Sequence, residues 1–358
     1  MRLVLAVFIA SVTVPAIADS AIPGDMVIKG AIEGYIRPNF HQFAEQAGSL
    51  KADVAALCAA PSPAALRLAQ SQFQGTVTAL SRIEFVRLGP LGVADRLERL
   101  LFWPDSKGIA LKQVQAALAA KDATAADAGS LQKKSVAMQG LGALEYLLFG
   151  TGNEDIGSGQ GAYRCGYAGA IATLVDGLAT TIDAEWQDAG ADGPVAHMLA
   201  PKPDAQDYRS QIEVLEKLAG ALINGTETIR DQRVKSVISA ADGKPKPKSA
   251  LFWRSGMTAP ALAANFGGLR DFFVAAKLPE ALGTNNAWIG TSVLFELDNA
   301  VRAAAAIADP IDKAVADPEQ LAALKSMITV TGSLDSLLGS SLATALGLSV
   351  GFSQLDGD

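Results

Sequence analysis

Two cysteines and two histidines in a chain of 358 residues leave little side-chain chemistry to consider. With His41 and His197 as the only imidazoles, a His-Glu-x-x-His zinc peptidase lacks its two histidines on one helix face. There is no G-x-S-x-G elbow for a serine hydrolase, no G-K-[ST] phosphate loop, no G-x-G-x-x-G after a strand and no C-x-x-C-H for haem. A structural zinc site lacks its third and fourth soft ligands. Positive charge is not concentrated anywhere beyond "KPKPK" at 244–248, and the formal net charge is -7. Nucleic acid is therefore excluded as a partner.

Long hydrophobic runs are also missing. The longest, "LVLAVFIASVTV" at 3–14, is shorter than the roughly 20 residues of a membrane-spanning helix. It follows Arg2 and precedes the small-x-small site Ala16-Ile17-Ala18, which together read as a secretory signal over 1–18. The residue after the cut is Asp19, so no cysteine is there to take a lipid anchor. The expectation is a periplasmic protein with no stable membrane insertion. In that oxidising compartment Cys58 and Cys165 read as a disulfide, two buried free thiols being the alternative.

What the chain has in abundance is alanine and leucine at spacings of three and four, as in "LKQVQAALAAK", "YRSQIEVLEKLAGALING" and "PEQLAALKSMI". Alternating β-branched runs are scarce, so the expected fold is all-α. The remaining length of about 340 residues suits one large or two medium domains. The proline-rich segment at 191–204 is the best divider, giving an N-terminal half at 19–195 and a C-terminal half at 196–358, each with room for four or more helices. A Leu-Phe-Trp triplet occurs in both, in "LLFWPDSKG" and "ALFWRSGMTAP", too short an echo to argue duplication.

Several stretches combine polar groups with apolar helix. His41 and Glu45, at i and i+4, make at most two metal ligands and read first as a solvated pair; His197 reads as a loop residue. "SRIEFVRLGPLG" carries Glu84 and Arg87, and "LLFWPDSKG" sets Trp103 and Asp105 beside a proline turn. Each also has a structural reading, as a charged helix edge or a helix-ending turn. "QGLGALEYLLFG" at 139–150 is the least ordinary, because an apolar helix accepts Gly140 and Gly142, each costing about 1 kcal/mol against alanine, just before its only acid, Glu145.

In this order the segments "IRPNFHQFAEQAGSL", "VRLGPLG", "FWPDSKG", "QGLGALEYLLFG" and the terminal "LGLSVGFSQLDGD" resemble the imelysin family, the imelysin-like and iron-regulated-protein-A-like proteins of bacterial envelopes. The resemblance covers the mature chain and implies two helical-bundle-like halves with a site in the cleft between them. The family's G-x-H-x-x-E motif puts its Gly at Gly140 and its Glu at Glu145, and Gly142 stands where the family carries histidine. That loss argues against carrying over the proteolysis behind the family's name, or the iron role of many members, unaltered. The resulting expectation is a non-catalytic envelope protein that binds a small ligand, a metal or an envelope protein in connection with iron, metal or redox physiology. Glu145 is its pocket residue, with Glu84, Arg87, Trp103, Asp105 and Asn265 as neighbours. No cofactor is certain; a divalent metal or iron is the one left open. The rival expectation is a metal-dependent hydrolase in which His41 supplies the imidazole beside Glu145, and a third is a helical scaffold with an acidic surface.

Overall fold

The computed structural model describes residues 22–238, 244–308 and 310–349. The expected signal over 1–18, and all but the start of the terminal "LGLSVGFSQLDGD", lie outside them. Every regular element of the described residues is a helix, with no strand among them. Their ten helices of eight or more residues are α1 (Gly24–Ala31), α2 (Arg37–Ala59), α3 (Pro63–Ile83), α4 (Ile109–Ala120), α5 (Gly140–Phe149), α6 (Ala162–Gln187), α7 (Gln211–Thr228), α8 (Thr258–Ala275), α9 (Ala287–Ala305) and α10 (Pro318–Ser336).

Local chemistry sets the helix starts. The Ser62 hydroxyl accepts from the Ala65 N–H ahead of α3, with Pro63 in the first turn, where its missing N–H costs nothing. Asp317 caps α10 and Ser210 caps α7 in the same way. Asp105 reaches further, its two carboxylate oxygens accepting from the N–H groups of Ile109 (2.7 Å) and Ala110 (2.8 Å) at the start of α4.

Two helical bundles result. In the first, α2 packs along α3 and α6, and α5 lies on α6. In the second, α8, α9 and α10 stack in sequence, with α7 against α10. The bundles meet where α3 packs on α8, and one continuous apolar core runs through both. Its aromatic contacts cross the junction: Tyr35 meets Phe272 edge-on at 5.5 Å and Phe73 meets Phe252 at 6.0 Å. The division does not follow chain order strictly. α1 leaves α2 through a π-helical turn at Ile32–Ile36 and packs against α7 and α8, while the 195/196 division falls inside a short helix, Pro194–Leu199.

Cys58, near the end of α2, is bonded to Cys165, in the first turn of α6, with a Cα–Cα separation of 5.6 Å. The disulfide reading of these two residues is thus correct. α6 and the continuous helix over 318–345 have the length and apolar composition of membrane spans; α6 spends its apolar face on α2.

Candidate functional site

α5 enters the junction between the bundles. Its first residue, Gly140, has φ +71°, and a Cβ there would stand 2.6 Å from the carbonyl oxygens of Arg99 and Leu100. Only glycine lets the backbone pass that close. Gly142 is different: its φ is ordinary and a Cβ would meet nothing within 4 Å. It faces a cavity of about 400 Å³, which Trp103, Asp105, Glu145, Tyr146, Trp253 and Arg254 also line. One glycine serves a backbone crossing, and the other keeps space open.

Glu145 is buried at 4 % exposure, one turn beyond Gly142 on the same helix face. Its Oε1 accepts from the N–H groups of Arg254 (3.0 Å) and Ser255 (2.9 Å) and from the Ser255 hydroxyl (2.9 Å). Oε2 receives no donor from the described residues. Burial pushes the carboxyl above its usual range, and the three hydrogen bonds and the nearby Arg254 charge oppose that only in part. The donors come from a tight turn with Phe252 at φ +59° and Gly256 at +67°. Thr258 closes it, donating to the Leu251 carbonyl at 2.8 Å.

Both Leu-Phe-Trp triplets border this cavity, through Phe102 and Trp103 from one and through Leu251, Phe252 and Trp253 from the other. The faint sequence echo therefore marks two walls of one site. The Trp103 indole N–H donates to the Gln232 carbonyl at 3.3 Å. The Arg254 guanidinium carbon lies 4.4 Å from the Trp253 ring centre and 5.4 Å from that of Tyr146, a cation held between two aromatic faces.

The other expected neighbours of Glu145 lie elsewhere. Glu84, Arg87 and Asn265 line a separate, far smaller cleft. Glu84 is buried and accepts from Arg233 and Asn265, at 2.7 Å each. Its arginine is thus Arg233, from the π-helical turn Ile229–Val234, while Arg87 borders the same cleft without an ion pair to Glu84. The same turn supplies Gln232 to Trp103, so it stands between the two sites.

His41 does not line the Glu145 cavity. Its Nδ1 is 2.9 Å from Asp183 of α6, its Nε2 is 3.5 Å from Glu45, and the hydrogen bond to Asp183 holds the imidazole above its usual range. The side chain is 58 % exposed. His197 pairs with Asp207 at 3.0 Å. Among the described residues no three His, Cys, Asp or Glu side chains gather as a metal-binding group.

Tyr146, Lys248, Trp253, Arg254 and Ser255 were not anticipated at this site. The signal for Lys248, Trp253, Arg254 and Ser255 was the second Leu-Phe-Trp triplet two residues after the "KPKPK" run, and Tyr146 directly follows Glu145 on α5.

Together these features define an all-helical, two-bundle protein with a buried carboxylate on a cavity at the bundle junction. The Imelysin family profile matches residues 36–338, and the chain belongs to that family. Its fold is similar to that of an imelysin-like protein from Psychrobacter arcticum 273-4, with a TM-score of 0.75 at 20 % identity, over 94 % of this chain and 100 % of that one. It is also similar to a protein from Parabacteroides distasonis ATCC 8503 described as an iron-regulated protein A precursor, with a TM-score of 0.73 at 14 % identity, over 92 % and 98 %. No curated protein matches the chain.

Proposed function

We propose that this protein is a non-catalytic binding protein of the cell envelope, exported by residues 1–18, whose small ligand occupies the cavity beside Glu145. The observation that carries the reading is the space at Gly142. Where the family resemblance puts an imidazole, this chain has a hydrogen atom facing about 400 Å³ lined by aromatic rings and a few convergent polar groups.

A bound metal ion fits these residues poorly. Asp105 spends both oxygens on the start of α4, leaving Glu145 Oε2 as the one uncommitted carboxylate oxygen, with Lys248 and Arg254 in the same lining. Zinc, iron and calcium sites take three or more protein donors, and the adjacent Lys248 and Arg254 charges would repel a further cation. The iron or metal connection, supported by the description of the Parabacteroides protein, is therefore read as one of physiology rather than of an ion on these side chains. The hydrolase alternative draws no support either, because the His41 imidazole is engaged by Asp183 and Glu45.

The test is a thermal-shift screen of small molecules on the protein beginning at Asp19, run beside Gly142→Trp, which fills the cavity, with calorimetric titration of Fe(II), Fe(III), Zn(II) and Cu(II). Expected are compounds that shift the wild type and leave the filled variant unmoved, and no metal binding at micromolar or better. Tight 1:1 metal binding lost in Glu145→Ala would return the site to metal chemistry. The N-terminal residue of protein recovered from the periplasm checks the export reading, and intact Met1 there would refute cleavage.

A further inference from the structure

A second cavity, of about 340 Å³, lies against the same turn and is bordered by Phe149, Thr151, Pro310 and Asp312. It shares Lys248, Trp253 and Arg254 with the Glu145 cavity, so the two are lobes on either side of one wall. That wall is cationic. Lys248 Nζ sits 5.6 Å from the Trp253 ring centre and Arg254 4.4 Å from it. Among the described residues neither side chain has a carboxylate within ion-pair distance.

Each acid around the two lobes has at least one oxygen committed to donors of the fold. Asp105 accepts from two backbone N–H groups, Glu145 Oε1 from three donors, and Asp312 Oδ1 from the Lys313 N–H. Glu145 spends Oε1 on the turn itself, and burial pushes its carboxyl above the usual range. A guanidinium fixed between two rings has lost its rotamer freedom before any ligand arrives, so its forked N–H groups are preorganised for a planar anion.

We infer that the ligand is a small organic anion, an aromatic carboxylate or sulfonate in type, with its flat body among Trp103, Tyr146 and Trp253 and its acid group on Arg254 and Lys248. This rests on the cavity beside Glu145 being a binding site. It commits that site to an anion, although the protein as a whole is acidic.

Two dyes sharing one aromatic body separate the possibilities: 8-anilinonaphthalene-1-sulfonate, which carries the anion, and N-phenyl-1-naphthylamine, which lacks it. Fluorescence titration should give the sulfonate an affinity at least about tenfold higher, the factor expected from one charge-assisted contact. Arg254→Gln and Lys248→Gln should each remove most of that preference without changing the neutral dye, and Arg254→Lys should restore part of it. Arg254→Gln keeps the backbone N–H that Glu145 accepts, and urea midpoints check that the variants fold. Equal affinity for the two dyes, or a silent Arg254→Gln, overturns the anion inference. Gly142→Trp distinguishes the two levels: if it abolishes both dyes while Arg254→Gln is silent, the cavity reading stands and the anion inference falls. If both dyes still bind to it, the cavity reading falls, and this inference with it.

Discussion

Gly140→Ala and Gly142→Ala, two residues apart on one helix, should change stability in opposite directions. At Gly140 the new side chain enters with φ at +71°, a left-handed conformation that costs an L-residue about 1–2 kcal/mol. It also meets two carbonyl oxygens at 2.6 Å, and backbone cannot rotate aside as a side chain can. Overpacking of that kind adds about 1–3 kcal/mol. The expected loss is the sum, about 2–5 kcal/mol. At Gly142 the methyl group points into open space at an ordinary φ, and the gain in helix propensity and unfolded-state restriction is about 0.5–1 kcal/mol. The assay is urea unfolding with the disulfide intact, comparing midpoints at unchanged slope. If Gly142→Ala is destabilised as much as Gly140→Ala, the cavity beside α5 is closed in solution and the division of labour between the glycines is refuted.

Three further outcomes follow from the geometry. Glu145 takes up a proton more readily folded than unfolded, so its contribution to stability is full below the ordinary glutamate value of 4.5 and is lost as pH rises through the higher folded value. Glu145→Gln removes that loss and should gain on the wild type as pH rises above 4.5; parallel curves of stability against pH would refute it. Opening the disulfide with Cys58→Ser and Cys165→Ser frees a loop of 107 residues and should cost about 2–5 kcal/mol, read as a lower urea midpoint; an unmoved midpoint refutes it. Glu84→Leu strands buried Arg233 and should cost about 3–5 kcal/mol, read in urea melts; an unmoved midpoint would contradict the pairing.

The helical class was legible because period-three-and-four spacing is a local property, and the disulfide because an even cysteine pair in a chain expected to be exported has few other fates. The site was legible only along one helix. Gly142 and Glu145 share a face by spacing alone, and the motif separates Gly140 from Gly142, but nothing in the chain says what each glycine does in the fold. One is set by a positive φ and the carbonyls of residues 99 and 100, the other by emptiness. Glu84 looked like a neighbour of Glu145 because both are acids in apolar helix, yet the partner of each is fixed by the second bundle, Arg233 for one and the 252–257 turn for the other. α1 illustrates the same limit. Its amphipathic face shows in the sequence, but not that the face is spent on α7 and α8.

The proposed binding site and the fold meet at Glu145, where two roles for the carboxylate give opposite signs. If it acted on an anionic ligand only through charge, any substitution that removed the charge would strengthen binding. If its work is to hold the turn that presents Arg254, the result depends on what replaces it. Glutamine keeps an acceptor for the Arg254 and Ser255 N–H groups and an N–H where Oε2 faces the cavity, so Glu145→Gln should leave sulfonate-dye affinity unchanged or higher. Alanine abandons the backbone N–H groups of Arg254 and Ser255, at about 1–3 kcal/mol for each one left unsatisfied, while the Ser255 hydroxyl still has the Phe252 carbonyl at 3.1 Å, and the turn must shift to recover them. Glu145→Ala should therefore bind the sulfonate dye more weakly although it is less acidic. Tighter binding by both variants would reduce Glu145 to a charge. A split between them means that the glutamate is kept for the turn it braces, and that the space at Gly142 is free to hold a ligand.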